Sequence, residues 1–302
     1  MVYEIGSFIH DMRIERGYSQ EELCYGICST GNLSKIENGV RMPNRKTIEA
    51  LMERLGCEQV FIQFSSREEM HQEQLCKRIV RKLTEKNFAG IEEMVSEFEE
   101  SISGDDVLNS QYCRFTKTVI KRRKGQPAEE TIREFRDILK MTKPGYTEEE
   151  LMPKGLLTYT EIVILINIAS SYIDRDNAKA IELLFELKKY MDTHVLDWQE
   201  KARKYQLIIF NLSGVLVDEK RYDEAIKMCD LGIENSKKHN RLRLLPYFFL
   251  NKGFALLGKN MVEQAQEQLH KGYSILDAMG EREECQRLLR YLKEKWNFKN
   301  AL

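Results

Sequence analysis

The sequence predicts an all-α protein: a small head of short helices followed by a long array of helical hairpins. Three observations predict it. First, the 302 residues include only five prolines and seventeen glycines, against roughly 15 and 21 for average usage. So few breakers leave little room for irregular connections or for the many turns of an all-β chain. Second, 42% hydrophobic and 31% charged residues suit amphipathic helices with wet outer faces. Third, apolar residues recur at helical spacing along most of the chain, with caps and stops between the runs.

Each head helix has its own signals. Ile5, Phe8, Ile9 and Met12 mark one apolar face, ended by Gly17. Ser19-Gln20-Glu21-Glu22 is a capping box that opens a second helix with Leu23, Cys24 and Ile27 inward. Ser29 can cap a third helix, which buries Leu33 and Ile36 and stops at Asn38-Gly39. Pro43-Asn44 starts a fourth, with Ile48, Leu51, Met52 and Leu55 inward and Gly56 as the stop. The head is therefore placed at 1–57, a linker at 58–70 and the helical array at 71–302. The apolar run Val60-Phe61-Ile62-Gln63-Phe64 in the linker is expected to dock on one domain, since an exposed run of this kind is sticky.

The array repeats. Asn211 and Asn251 are 40 residues apart, and so are Ala225 and Ala265. An earlier copy around Asn167 has a turn one residue shorter. Each unit reads as a helix, a tight polar turn and a second helix carrying a small residue. The pattern resembles the tetratricopeptide repeat, in which small residues stand eighth and twentieth. Ser213 with Ala225, and Gly253 with Ala265, fit that spacing. Weaker copies cover 70–101 and 107–141, and 281–296 reads as a capping helix. Five such repeats imply one right-handed superhelix with a concave inner wall.

Composition excludes several function classes. A formal net charge of −1 points to no partner, so nucleic-acid binding needs a local patch. No apolar run reaches the ~18 residues of a membrane span. The N-terminus lacks the basic and apolar regions of a signal peptide. The seven scattered cysteines accordingly read as reduced thiols in a cytoplasmic protein. Cys24 and Cys28 share a helical face but no second ligand pair follows, and the five histidines form no zinc motif. No phosphate-binding loop, dinucleotide fingerprint or nucleophile elbow is present. No metal, cofactor or enzymatic activity is expected.

Residues 5–56 resemble the Xre/Cro type of repressor helix-turn-helix. The matching residues are Arg13, Gly17, Ser19-Gln20-Glu21-Glu22-Leu23 and Leu33-Ser34-Lys35-Ile36-Glu37-Asn38-Gly39. The resemblance implies that the second helix of the motif enters the major groove of double-stranded DNA. Thr30, Gly31, Asn32 and Lys35 would then face bases, with Asn32 suited to adenine and Lys35 to guanine. Gln20, Ser34, Asn38 and Arg41 would meet phosphates. It also implies an internal ion pair between Arg13 and Glu37. Gly31 stands where a long polar reader is common. Residues 1–65 carry seven Lys/Arg against nine Asp/Glu, a formal −2, with positives late at Lys35, Arg41, Arg45 and Lys46. A modest phosphate footprint per chain therefore calls for a homodimer on a palindromic operator.

Asn167, Asn211 and Asn251 share one place in three first helices. A side-chain amide both donates and accepts, so three in phase can hold the backbone of an extended peptide. One asparagine alone would as readily sit on a wet face or bond a neighbouring repeat. Ile166, Ser170, Phe210, Gly214, Val217, Tyr247, Leu250 and Phe254 lie alongside and can form side-chain pockets. Head, repeats and asparagines together resemble the RRNPP family of quorum-sensing receptors, in particular its PlcR and Rgg branches, which share the Ile27-Cys28 turn. The resemblance implies a cytoplasmic homodimeric transcription regulator controlled by a short signalling peptide. The alternative is a DNA-bound adaptor whose repeats bind a protein partner.

Weaker signals remain. Arg114, Lys117 and Lys121 share a helix face and can receive ligand carboxylates, although a solvated face is the simpler reading. Trp198 and Trp296 read as packing residues. Pro144 and Pro153 bracket the one long irregular connection, expected as a hinge or flap beside the groove.

Overall fold

The computed structural model describes residues 2–57, 67–85, 87–147 and 149–296. The apolar run at 60–64 lies outside the described residues. Among these, every regular element is a helix, as the sequence predicts. The fold forms two compact units, residues 1–171 with 193–198, and residues 172–192 with 199–302. The units thus divide within the repeats, not between head and body.

The first unit begins with the head: α1 (Val2–Glu15), α2 (Gln20–Cys24), α3 (Thr30–Glu37) and α4 (Arg45–Leu55). The capping box forms as read: Glu22 N–H donates to Ser19 Oγ at 3.1 Å and Ser19 N–H to Glu22 Oε2 at 2.8 Å. Ser29 Oγ accepts from Asn32 N–H at 3.2 Å, and Asn44, one residue past Pro43, caps α4 through Thr47 N–H. Ile9, Leu23, Leu33, Ile36, Ile48, Leu51 and Leu55 close the head core. Phe8, expected inside, is 41% exposed, because the core face of α1 runs through Ile5, Ile9 and Met12.

Two helix pairs follow, α5 (Arg67–Thr84) with α6 (Ile91–Glu100) and α7 (Val107–Arg123) with α8 (Ala128–Lys140), and then α9 (Tyr159–Tyr172). Leu75, Ile79, Ile91, Val95, Phe98 and Ile120 join α5, α6 and α7. The connection from α8 to α9 is no flap. Lys143, Tyr146, Leu156, Leu157 and Thr158 are buried along it, and Gly145 N–H donates to Tyr25 Oη at 3.1 Å. Its buried side chains seat it on the head.

The second unit holds α10 (Asn177–Thr193), α11 (Trp198–Asp218), α12 (Tyr222–Lys238), α13 (Leu245–Gly258), α14 (Val262–Ala278) and α15 (Arg282–Trp296), apart from the last residue of α10 and the first of α11. The small residues act as the repeat pattern predicts. Ser213, Ala225 and Ala265 are fully buried, and a Cβ on Gly253 would lie 3.3 Å from Ala265 O. The backbone repeats with the same period. Lys220 and Asn260, 40 residues apart, both have positive φ, as do Asn240 and Gly280, also 40 apart. Trp198, expected as packing, is 52% exposed at the first turn of α11. The Trp296 side chain lies outside the described part.

Candidate functional sites

The reading face of the head is open. Thr30, Gly31, Lys35, Asn38 and Arg41 are exposed, with Asn32 and Ser34 half-buried beside them. A Cβ on Gly31 would meet no atom within 4 Å, so that position presents only backbone. Lys35 has no acidic partner among the described residues. Asn32 is held ready: its Oδ1 accepts from Arg41 Nη1 at 3.0 Å. The amide oxygen has a second lone pair, so the bond from Arg41 still leaves it able to accept from another donor. Asn38 Nδ2 donates back to Ser34 O at 2.8 Å, ordering the end of α3.

Behind this face the Arg13–Glu37 pair forms with two parallel bonds, Nε to Oε1 at 2.6 Å and Nη2 to Oε2 at 2.9 Å. Burial pushes the Glu37 carboxyl up, but bonds from Arg13 and Gln20 outweigh it and hold the group below its ordinary value. Gln20, read as a phosphate contact, gives its Nε2 to Glu37 Oε2 at 2.7 Å. The late basic cluster also splits. Arg45 pairs with Glu49 and Glu73, and Lys46 with Glu49, which leaves Lys35 and Arg41 as its unpaired cations among the described residues.

A second site lies in the second unit. Phe210, Tyr247, Leu250, Asn251 and Phe254 line one groove of about 260 Å³. Its other wall comes from α15, through Glu284, Arg287, Leu288 and Tyr291. The sequence reading gave α15 only a capping role, because its side of the groove has no partner in the repeat register. Aromatic rings set the walls edge to face, Phe210 with Tyr247 at 5.8 Å and Phe254 with Tyr291 at 5.0 Å. Asn251 Nδ2 donates to Ser213 Oγ at 2.9 Å, and a Cβ on Gly214 would stand 3.7 Å from that nitrogen. The amide is thereby oriented with Oδ1 unbonded among the described residues. Asn211 makes no side-chain hydrogen bond among them. Val217, read as a peptide contact, is buried at 8% and is not among the residues lining this groove.

Asn167 belongs to the first unit and is differently placed. Its Nδ2 donates to Val163 O at 2.9 Å, and its Oδ1 faces Arg122 Nη1 at 3.5 Å. Arg122 Nη2 also donates to Ser170 O at 3.1 Å and Ser170 Oγ at 2.9 Å. Ile166, on the same helix, is buried. The basic run on α7 is neutralised in part. Lys117 pairs with Glu99 at 2.5 Å and Lys121 with Glu134 at 2.8 Å, and Arg114 Nη1 lies 3.6 Å from Met141 Sδ. Arg122, which sequence spacing did not single out, has no carboxylate partner among the described residues. Burial and neighbouring Arg123 lower its guanidinium below the ordinary value. Four consecutive basic residues, 121–124, hid it, since spacing alone does not tell a cation facing a helix from one facing water.

An open α3 on a compact four-helix head is the geometry of a helix-turn-helix DNA-binding domain, and helical hairpins follow it along the chain. The helix-turn-helix family model HTH_3 matches residues 9–58. Across nearly the whole chain the fold is similar to that of Bacillus thuringiensis PlcR. Its complex with the peptide PapR7 and DNA aligns at 20% identity and TM-score 0.58, over 94% of this chain and 99% of that one. Apo PlcR aligns at 18% identity and TM-score 0.60, over 95% and 98%. ComR from S. thermophilus, in complex with DNA and its signalling peptide ComS, aligns at 13% identity and TM-score 0.51, over 95% and 97%. At these identities the likeness is one of fold. No curated protein matches the sequence. Among the described residues no helix is long and apolar enough to cross a membrane.

Proposed function

We propose that the chain is a peptide-controlled transcription regulator of the RRNPP family, acting in the cytoplasm as a homodimer on a palindromic operator. The observation that carries the peptide reading is the groove of the second unit. Five residues picked from sequence as peptide contacts meet there around an amide with a free acceptor. Apolar walls with one or two placed polar groups suit an extended peptide, whose backbone an amide can grip whatever its side chains. Asn211 and Asn251 are the backbone contacts in this reading, and Asn167 acts by holding Arg122. Arg114, Lys117 and Lys121 are secondary, since the last two already meet carboxylates. The PlcR and ComR complexes, each with DNA and a peptide, support the same reading.

The test is a screen of short synthetic peptides by thermal shift. A binder raises the melting temperature, because binding to the folded state adds RT ln(1 + [L]/Kd). Asn211→Ala is expected to weaken the selected peptide by about tenfold, near the ~1.5 kcal/mol of one hydrogen bond. DNA binding, read by fluorescence anisotropy, should persist. A peptide response unchanged in both Asn211→Ala and Asn251→Ala would refute the groove. A groove that binds no peptide but captures one defined partner protein would favour the adaptor reading.

A further inference from the structure

Three charged side chains are buried together where the head meets the rest of the first unit. Arg54 on α4 and Glu161 on α9 have no exposed side-chain surface, and Lys143 has 2%. Arg54 Nη1 donates to two carbonyls at the end of α2, Leu23 O at 2.9 Å and Tyr25 O at 2.6 Å. Its Nη2 stands 3.6 Å from Glu161 Oε1. Glu161 also accepts from Thr142 Oγ1 and Thr158 N–H, both at 2.6 Å. Lys143 Nζ lies 3.9 Å from Glu161 Oε2, donates to Leu156 O at 2.5 Å and sits over the Tyr25 ring. One carboxylate therefore faces two cations and ties α2, α4, the 142–158 connection and α9 together.

The contact around it is tight and directional. A Cβ on Gly26 would fall 1.7 Å from Thr142 O, and one on Gly56 would fall 2.3 Å from Val195 O. Glu53 Oε2 accepts Tyr159 N–H, the first of α9, at 2.8 Å. None of the exposed reading residues on α3 takes part. Two buried cations on one carboxylate are a poor way to gain stability, because desolvation offsets most of the attraction. They do make a wrong docking geometry expensive, since any displacement strands a charge.

We propose that Glu161 is a positioning residue for DNA reading. Through Arg54 and Lys143 it holds the head as a fixed part of the first unit, so α9 sets the orientation in which α3 meets DNA. The reading rests on the head binding DNA, but the fixed attachment does not.

The experiment compares head and α9 amides by relaxation NMR in the full, deuterated chain. In the unaltered protein both sets tumble with one correlation time. In Glu161→Gln, head amides keep their folded dispersion but take a shorter correlation time. Affinity for a duplex selected by the unaltered chain from a randomised library falls at least about tenfold, that is, ~1.4 kcal/mol. A loss of stability alone would not separate the two correlation times. Arg54→Lys keeps the charge but loses the fork across two carbonyls. It is expected to loosen the head in the same way, and it decides the matter if Glu161→Gln unfolds the head. A head that still tumbles with α9 at unchanged affinity in the folded variant overturns the proposal. Failure to select any duplex overturns the DNA reading instead, while the tumbling comparison still decides the attachment.

Discussion

Two glycines with the same backbone angle separate local strain from the seating of the head. Gly17 and Gly26 have φ of +71° and +70°. Alanine at either is held in the left-handed region, at about 1–2 kcal/mol. At Gly17 nothing lies within 4 Å of an added Cβ, so Gly17→Ala carries only that strain. At Gly26 the Cβ would stand 1.7 Å from Thr142 O and must reach at least 3.0 Å, a retreat of 1.3 Å. The obstacle is main chain, so no rotamer change relieves it. Overpacking of this kind adds about 1–3 kcal/mol. Gly26→Ala is therefore expected to lose about 2–5 kcal/mol in all, the sum of strain and overpacking. Urea unfolding of both variants by circular dichroism measures the gap. Amide exchange should also quicken in α2 and α4 of Gly26→Ala and not of Gly17→Ala. Equal losses, with equal exchange, would show that the head does not rest on residue 142.

Other outcomes follow from the same contacts. Arg13→Met strands the buried Glu37 carboxylate and should destabilise the chain by about 3–5 kcal/mol in urea, while adding Glu37→Met recovers most of it. Burial and Arg54, opposed by Glu161, pull the Lys143 ammonium down to about 8 from 10.5. The folded state thus sheds this proton first, and stability rises with pH between those values, with the full penalty present below 8. Pulse unfolding at pH 9 against pH 7 should show a gain on the order of 1 kcal/mol that disappears in Lys143→Met. Arg41→Ala should weaken binding to all duplexes alike and lower the salt slope by about 1, whereas Lys35→Ala should relax preference at one base position. Titrations at several salt concentrations distinguish the two.

Most of the fold was legible because its signals are local. Caps at Ser19, Ser29 and Asn44 need only their own turn, and the 40-residue period recurs in apolar and backbone register alike. The Arg13–Glu37 pair spans 24 residues and has no local signal; it was expected only from the family resemblance, and the structure contains it. What escaped depends on contacts between distant segments. Arg54, Lys143 and Glu161 look like ordinary solvated charges at helical spacing, and only the docked head buries them. The α15 wall was invisible because no repeat position predicts which face a last helix offers. Asn167 shows the converse. Its register matches Asn211 and Asn251, yet its amide is spent on Val163 and Arg122. The segment bracketed by Pro144 and Pro153 read as a flap because prolines report local irregularity and not burial.

The seating of Gly26 and Gly56 against main-chain carbonyls bears on how this protein can be recombined. Helix-turn-helix heads are commonly treated as cassettes, cut at the linker and spliced onto another body. Here a cut after residue 57 leaves the carbonyls of Thr142 and Val195 on one side and the glycines that fit them on the other. A working exchange would have to carry 142–161 and 195 along with the head. The transferable cassette is then a non-contiguous set of segments, and its seam runs through a packed surface.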